Sequence, residues 1–253
     1  SPRWSRRRAW GTASRQPMIN RMRKGSHGSG TTSKPAKPVS TAFYEELFNK
    51  FKDSEDSDSI GPEGMQRLCD EIDVDPSDVR MLVFAWCLGA SQMGYFSREE
   101  WLSAVGKVGD VTSEAELKER VGSIHKSSLR EPEALRELHR FAHKFCREDR
   151  KKNIDVGSAC IMLQMLLAPL YKEHVDSLSR YLEQHAEVGK RGVSLDEWTM
   201  LLQFCREIDP DCDNFQDDGA WPLLLDDYVE WRREQSAQGG AAGAEGAEGK
   251  SRE

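Results

Sequence analysis

The best candidates for chemistry in this 253-residue chain are three side chains at helical spacing: His139, His143 and Cys146, at i, i+4 and i+7. That spacing sets them on one helix face, where two imidazoles and a thiolate would make a zinc-type ligand set. Zinc usually takes a fourth ligand, and no second cluster accompanies these. Phe141 and Phe145 flank the three, so they read as polar surface and core-edge residues. The six cysteines (Cys69, Cys87, Cys146, Cys160, Cys205 and Cys212) include no CxxC pair. A thiol ligase needs a cysteine beside a base or in an electropositive setting, and only Cys146 has histidines nearby in sequence. GxSxG, HExxH, GxxxxGK(S/T) and GxGxxG are all absent. The expectation is a non-enzyme with no catalytic residue, metal or cofactor.

Calcium is the other chemistry to weigh. The run Asp53-Ser54-Glu55-Asp56-Ser57-Asp58-Ser59-Ile60 lies between two helical patterns, as an EF-hand loop would. Such a loop needs oxygen ligands at its first, third and fifth places, glycine at the sixth and glutamate at the twelfth. With Ile60 in the apolar eighth place, Asp58 falls where glycine belongs and Gly64 where glutamate belongs. With Phe96 eighth, Gly94 and Glu100 fit, but Gly89, Ser91 and Met93 replace the early ligands. With Val193 eighth, Glu197 is twelfth but Ala186 is first. The helix-loop-helix frame is expected to survive without its metal, leaving Asp53 to Asp58 as a solvated, negatively charged loop.

These residues must be positioned by helices. Phe43, Leu47 and Phe51 recur at helical spacing, as do Met65, Leu68, Cys69 and Ile72. Asp75-Pro76 is expected to open the helix of Val79, Leu82, Val83 and Trp86. Ser97 with Glu100, Ser113 with Glu116, and Ser194 with Glu197 have capping-box spacing. Glu131-Pro132 opens a further helix, Asp155 precedes another, and Pro222 opens the last. No alternating run is long enough for a sheet, although two-residue pairings near Ile60, Phe96 and Val193 are compatible with the pattern. The fold class is all-α: a helical body over 41–235, built of two degenerate EF-hand-like halves.

The ends differ from that body. Residues 1–40 hold ten Arg and Lys with no acid and no apolar period, so a disordered basic arm is expected. A transit peptide, a nucleic-acid arm and a nuclear address all fit its composition, and Met18 or Met22 would serve as an alternative start. Residues 236–253 read as a flexible Gly/Ala/Glu tail. The net charge of −7 therefore understates how acidic the body is. That acidity suggests a basic protein partner and argues against nucleic-acid binding by the body. No apolar run approaches the ~20 residues of a membrane span. The unpaired cysteines suggest a reducing, intracellular compartment.

The segment from Asp217 to Trp231 concentrates the acidic character, setting acids on both sides of a small Gly219-Ala220 step that leads into an apolar helix. With Ile60-Gly61, Asp75-Pro76, Ala85-Trp86, Phe96-Ser97, Glu131-Pro132, and Asp196 with Trp198, it resembles the defective-in-cullin-neddylation family, or PONY domain, over about residues 43–233. The resemblance implies a scaffold-type helper ligase. Such a protein holds a cullin's C-terminal winged-helix domain and the neddylation E2 together, promotes transfer of the ubiquitin-like modifier to the cullin, and so positively regulates cullin-RING ligases, with the RING subunit acting indirectly. It implies a cullin-binding patch at Asp196, Ala220 and Asp226. It also implies an apolar pocket for the acetylated N-terminus of the E2, lined by Pro62, Met65, Met81, Phe84, Ala85, Leu88, Phe96, Phe145 and Met165. The three methionines and the proline stand where branched aliphatics are usual, which makes for an adaptable lining. Localisation to nucleus and cytoplasm follows from the same resemblance. Residues 1–40 are unlike the ubiquitin-binding three-helix domain of some members. From the residues alone, the alternative is a degenerate EF-hand adaptor for a different basic protein.

Overall fold

The computed structural model describes residues 41–248 other than 55, 57, 149 and 218, with side chains for all of these but 186 and 238–248. The basic arm lies outside the described residues. The described chain is helical almost throughout. Its elements are α1 (Ala42–Phe51), β1 (Ser59–Ile60), α2 (Pro62–Glu71), α3 (Val79–Leu88), β2 (Phe96–Ser97), α4 (Arg98–Val108), α5 (Glu114–Arg130), α6 (Pro132–Cys146), α7 (Val156–Leu166), α8 (Ala168–Gln184), α9 (Ala186–Arg191), α10 (Leu195–Glu207) and α11 (Leu223–Glu248). None of these helices is long and apolar enough to cross a membrane. The backbone of α11 stays helical to Glu248, past the boundary at Ser236 that composition suggested.

The chain divides into two compact units, one running up to Ser77 and joined by Cys87–Gly122, the other made of Asp78–Trp86 and the chain from Ser123 on. Both follow one local recipe. In the first, β1 and β2 pair antiparallel with Ile60 opposite Phe96. In the second, Ile154 bridges Val193, with N–H to O distances of 3.0 and 2.8 Å in the two directions. The residue after Phe96 or Val193 is a serine that caps the next helix in a full capping box, Ser97 with Glu100 and Ser194 with Glu197. A tryptophan follows each glutamate and is fully buried. Trp101 Nε1 donates to the Tyr44 carbonyl on α1, and Trp198 Nε1 donates to the His139 carbonyl on α6, each at 2.7 Å. The repeat Ser-x-x-Glu-Trp thus starts a helix and locks it to an earlier helix of its own unit.

Local chemistry moves several expected boundaries. α3 begins at Val79, not at Asp75-Pro76. Asp75 instead accepts from Ser77 N at 2.8 Å, which makes a turn. Asp78 takes the capping role, accepting from Arg80 N at 2.8 Å. The buried face of α1 comprises Tyr44, Leu47, Phe48 and Phe51, so Tyr44 replaces Phe43 in the expected stripe. Its hydroxyl reaches the Gly109 carbonyl at 2.9 Å, which lets a polar-tipped ring be buried.

The Asp53 to Asp58 loop is not merely solvated. Asp53 accepts from Gly61 N at 3.0 Å, and Asp56 accepts from Asp58 N at 3.1 Å and from Ser59 Oγ at 3.0 Å. These carboxylates accept from donors in and just after the loop.

Gly64 shows why the glutamate of a calcium loop is excluded here. A Cβ built at Gly64 would lie 2.0 Å from the Phe51 carbonyl oxygen and 2.9 Å from Ile60 Cγ2. Only hydrogen fits where α2 crosses the end of α1. Gly64→Ala should therefore destabilise the protein by about 3 kcal/mol or more. Gly106→Ala, in open space on α4, should instead stabilise it by about 0.5–1 kcal/mol. Urea unfolding of the two variants reads the opposite signs.

Candidate functional site

Asp196, Ala220 and Asp226 all lie in the second unit, on α10, the loop after it, and α11. Ser194 caps α10, accepting from Glu197 N at 3.2 Å. Asp196 is exposed in that first turn, where the unpaired N–H groups of the helix end favour a carboxylate. Its neighbour Glu197 turns inward and is 8% exposed. Arg191 Nη2 lies 2.6 Å from Glu197 Oε1, and Arg191 Nη1 donates to Oε2 at 2.8 Å. Burial alone would raise the Glu197 carboxyl. The hydrogen bonds from Arg191 and Ser194 outweigh it and leave the pKa below the usual carboxylate range. In loop terms Arg191 stands sixth and Glu197 twelfth, so a guanidinium from the chain itself meets the carboxylate that a calcium loop aims at its ion.

The loop from Asp209 to Trp221 is held at both ends. Asn214 Nδ2 donates to the Glu207 carbonyl at 3.0 Å and its Oδ1 accepts from Asp209 N at 2.8 Å. Further on, Phe215 and Trp221 pack on Phe204 of α10, with ring centroids at 6.1 and 5.6 Å. Gly219 takes φ +75°, the left-handed conformation that glycine adopts most readily. Ala220 follows it and is exposed. Asp209, Asp211, Asp213 and Asp217 are exposed along the same stretch, while Asp218 lies outside the described residues.

α11 is amphipathic at its start. Leu224, Leu225, Tyr228 and Val229 are each at most 2% exposed. Tyr228 packs against Phe204 at 5.7 Å and against Tyr181 of α8 at 5.5 Å. Asp226 is half-buried and Asp227 exposed, three and four residues beyond Leu223. Arg191, bonded to Glu197, also lies within the electrostatic range of Asp227, which helps hold its guanidinium protonated. One arginine thus touches the first turn of α10 and feels Asp227 of α11.

The nine residues of the apolar lining divide between the units. Pro62, Met65, Leu88 and Phe96 belong to the first; Met81, Phe84, Ala85, Phe145 and Met165 belong to the second. Seven of the nine are buried, and Pro62 and Met165 are half-buried.

The histidines at 139 and 143 are core residues, not surface or core-edge groups, at 1% and 0% exposure. His139 stacks on Trp198 at 4.3 Å with 7° between the ring planes. His143 Nε2 lies 3.0 Å from the Val193 carbonyl, which positions it to donate. Helical spacing gave no sign of this, because both partners come from α10 and the residues just before it. Spacing also missed the Arg191–Glu197 pair: the Glu197 capping role was visible, but its arginine was not. The repeated Ser-x-x-Glu-Trp motif, in contrast, was present in sequence as a signal that those two helices are equivalent.

Residues 116–231 match the family model described as Cullin binding. The chain is 34% identical to DCN1-like protein 4 of Drosophila melanogaster over 194 residues, covering 76% of this chain and 75% of the relative. It is 36% identical to DCN1-like protein 4 of Homo sapiens over 179 residues, 70% of this chain and 59% of the relative. It is 35% identical to DCN1-like protein 5 of Bos taurus over 182 residues, 70% and 73% respectively. With its helical body, its doubled helix-loop-helix frame and these matches, the chain belongs to the cullin-binding, DCN1-like family of defective-in-cullin-neddylation proteins.

Proposed function

We propose that this protein is a non-covalent scaffold for cullin neddylation. It binds a cullin's C-terminal winged-helix domain through Asp196, Ala220 and Asp226. It holds the neddylation E2 by its acetylated N-terminus. The RING subunit supplies the activation step, and the protein acts in the nucleus and cytoplasm as a positive regulator of cullin-RING ligases.

The observation that carries the cullin half of this reading is the placement of the two aspartates. Each sits in the first turn of a helix, and an exposed alanine lies in the loop joining those helices, all within the matched segment. Exposed Asp209, Asp211, Asp213 and Asp217 add a negative field that would speed encounter with a basic surface. The E2 half rests on the sequence resemblance.

Cysteine chemistry supports the non-covalent reading. All six thiols are buried and unpaired. Burial pushes their pKa values up, to about 12 for Cys69, Cys146 and Cys205 and to about 11 for Cys87, Cys160 and Cys212. A buried thiol held protonated is a poor nucleophile. Rate enhancement by a scaffold instead comes from orientation and raised effective concentration.

Reconstituted neddylation tests the whole reading. The chain should accelerate modifier transfer to a cullin at least tenfold with acetylated E2, and less with unacetylated E2. Equal rates with and without the chain, across a panel of cullins, would overturn it. A degenerate EF-hand adaptor for another basic protein would give that result.

A further inference from the structure

The solvent face of α11 carries an apolar residue where an amphipathic helix should carry a polar one. Leu223, the first residue of the helix, is 72% exposed. The inward face, Leu224, Leu225, Tyr228 and Val229, is complete without it. Leu223 shares its face with Asp226 and Asp227, three and four residues on, by helical periodicity. Ala220, also exposed, stands three residues before it, and the intervening Trp221 and Pro222 are half-buried. The result is a short apolar run with acids at both ends: Asp217 before it, Asp226 and Asp227 after it.

A single exposed leucine is ordinary on a protein surface. This one is distinguished by its place. It lies between two residues of the proposed cullin-binding patch, on the same helical turn as one of them. Protein interfaces commonly set an apolar anchor at the centre and charged groups around it. Charges set on-rate and orientation, while a desolvated apolar contact slows dissociation.

We infer that Leu223 is the apolar anchor of the cullin-docking surface and inserts into an apolar recess flanked by basic groups on the cullin. This rests on the function proposed above, and its occupant is the cullin's C-terminal domain. The acids select a basic partner, and Leu223 selects among basic partners by requiring the recess.

The test is a calorimetric titration of the full chain with cullin C-terminal domains bearing their RING subunit, in low and high salt. Leu223→Ala should weaken binding about tenfold, mainly through faster dissociation, with the slope of affinity against salt unchanged. Leu223→Lys should weaken it further. Thermal melting of both variants should match the wild type, since the side chain is exposed. If Leu223→Ala binds with wild-type affinity while Asp226→Arg does not bind, the anchor is wrong and the docking surface stands. If the wild-type chain binds no cullin, the proposed function fails and this inference with it.

Discussion

Asp226→Arg should abolish cullin binding in a titration that detects the wild-type complex, with affinity falling at least a hundredfold. Asp226 is half-buried in the first turn of α11, so a partner's basic group meets it in a partly desolvated setting where charge counts for more than on open surface. Reversal replaces an attraction with a repulsion, and losing a desolvated charge pair costs about 2–5 kcal/mol. Asp196 is exposed, and its substitution should act differently. Asp196→Asn should lower the association rate and the salt dependence while leaving dissociation nearly unchanged. Ala220→Arg should block close approach without removing any acid. Arginine near a helix N-terminus costs about 0.3–1 kcal/mol of stability, so Asp226→Asn provides the isosteric check and should lose binding with less effect on melting. Wild-type affinity in Asp226→Arg would remove this residue from the docking surface.

Lowering the pH from 7.5 to 5 should sharply reduce stability, because three histidines are buried in the neutral form. Burial holds the pKa of His139 down at about 3, helped by the neighbouring His143. Burial also lowers His143 and His174, partly offset by their hydrogen bonds to the Val193 and Ile208 carbonyls. The sign follows from the unfolded reference of about 6.5. Below that pH the unfolded chain takes up protons that the folded chain refuses, so stability falls as pH falls. For His139 the slope approaches about 1.4 kcal/mol per pH unit, and His143 and His174 act in the same direction.

The depressed Glu197 pKa adds to this loss at lower pH. Its contribution is complete above the ordinary glutamate range and disappears as pH falls through the folded value. Urea midpoints measured every half pH unit should decline steadily below about 6.5. His139→Phe should flatten the decline, since a phenyl ring can keep the stacking on Trp198 without a proton site. A flat profile from pH 7.5 to 5 would show that these rings are not buried neutral.

The sequence by itself determined whatever depends on residues a few positions apart. Ser97 with Glu100 and Ser194 with Glu197 marked two helix starts correctly, because a capping box closes over three residues. Pro132 marked another, because proline fits the first turn. Even the Ile60–Phe96 and Ile154–Val193 contacts left a trace, in the apolar eighth place of three failed calcium loops. The candidate docking residues came from the resemblance to the family, matched motif by motif, and Leu223 passed as one more apolar residue of α11.

Tertiary structure decided what depends on distant partners. His139 and His143 became core because Trp198 and Val193 arrive from fifty or more positions away along the chain. Gly64 is required because the carbonyl of Phe51 passes where a side chain would begin. Arg191 found Glu197 only after the turn at Gly192 brought them together. Leu223 is an outward residue only because its four neighbours in α11 already fill the inward face. A local pattern cannot specify these outcomes, because burial and pairing belong to surfaces that exist only once separate helices have met.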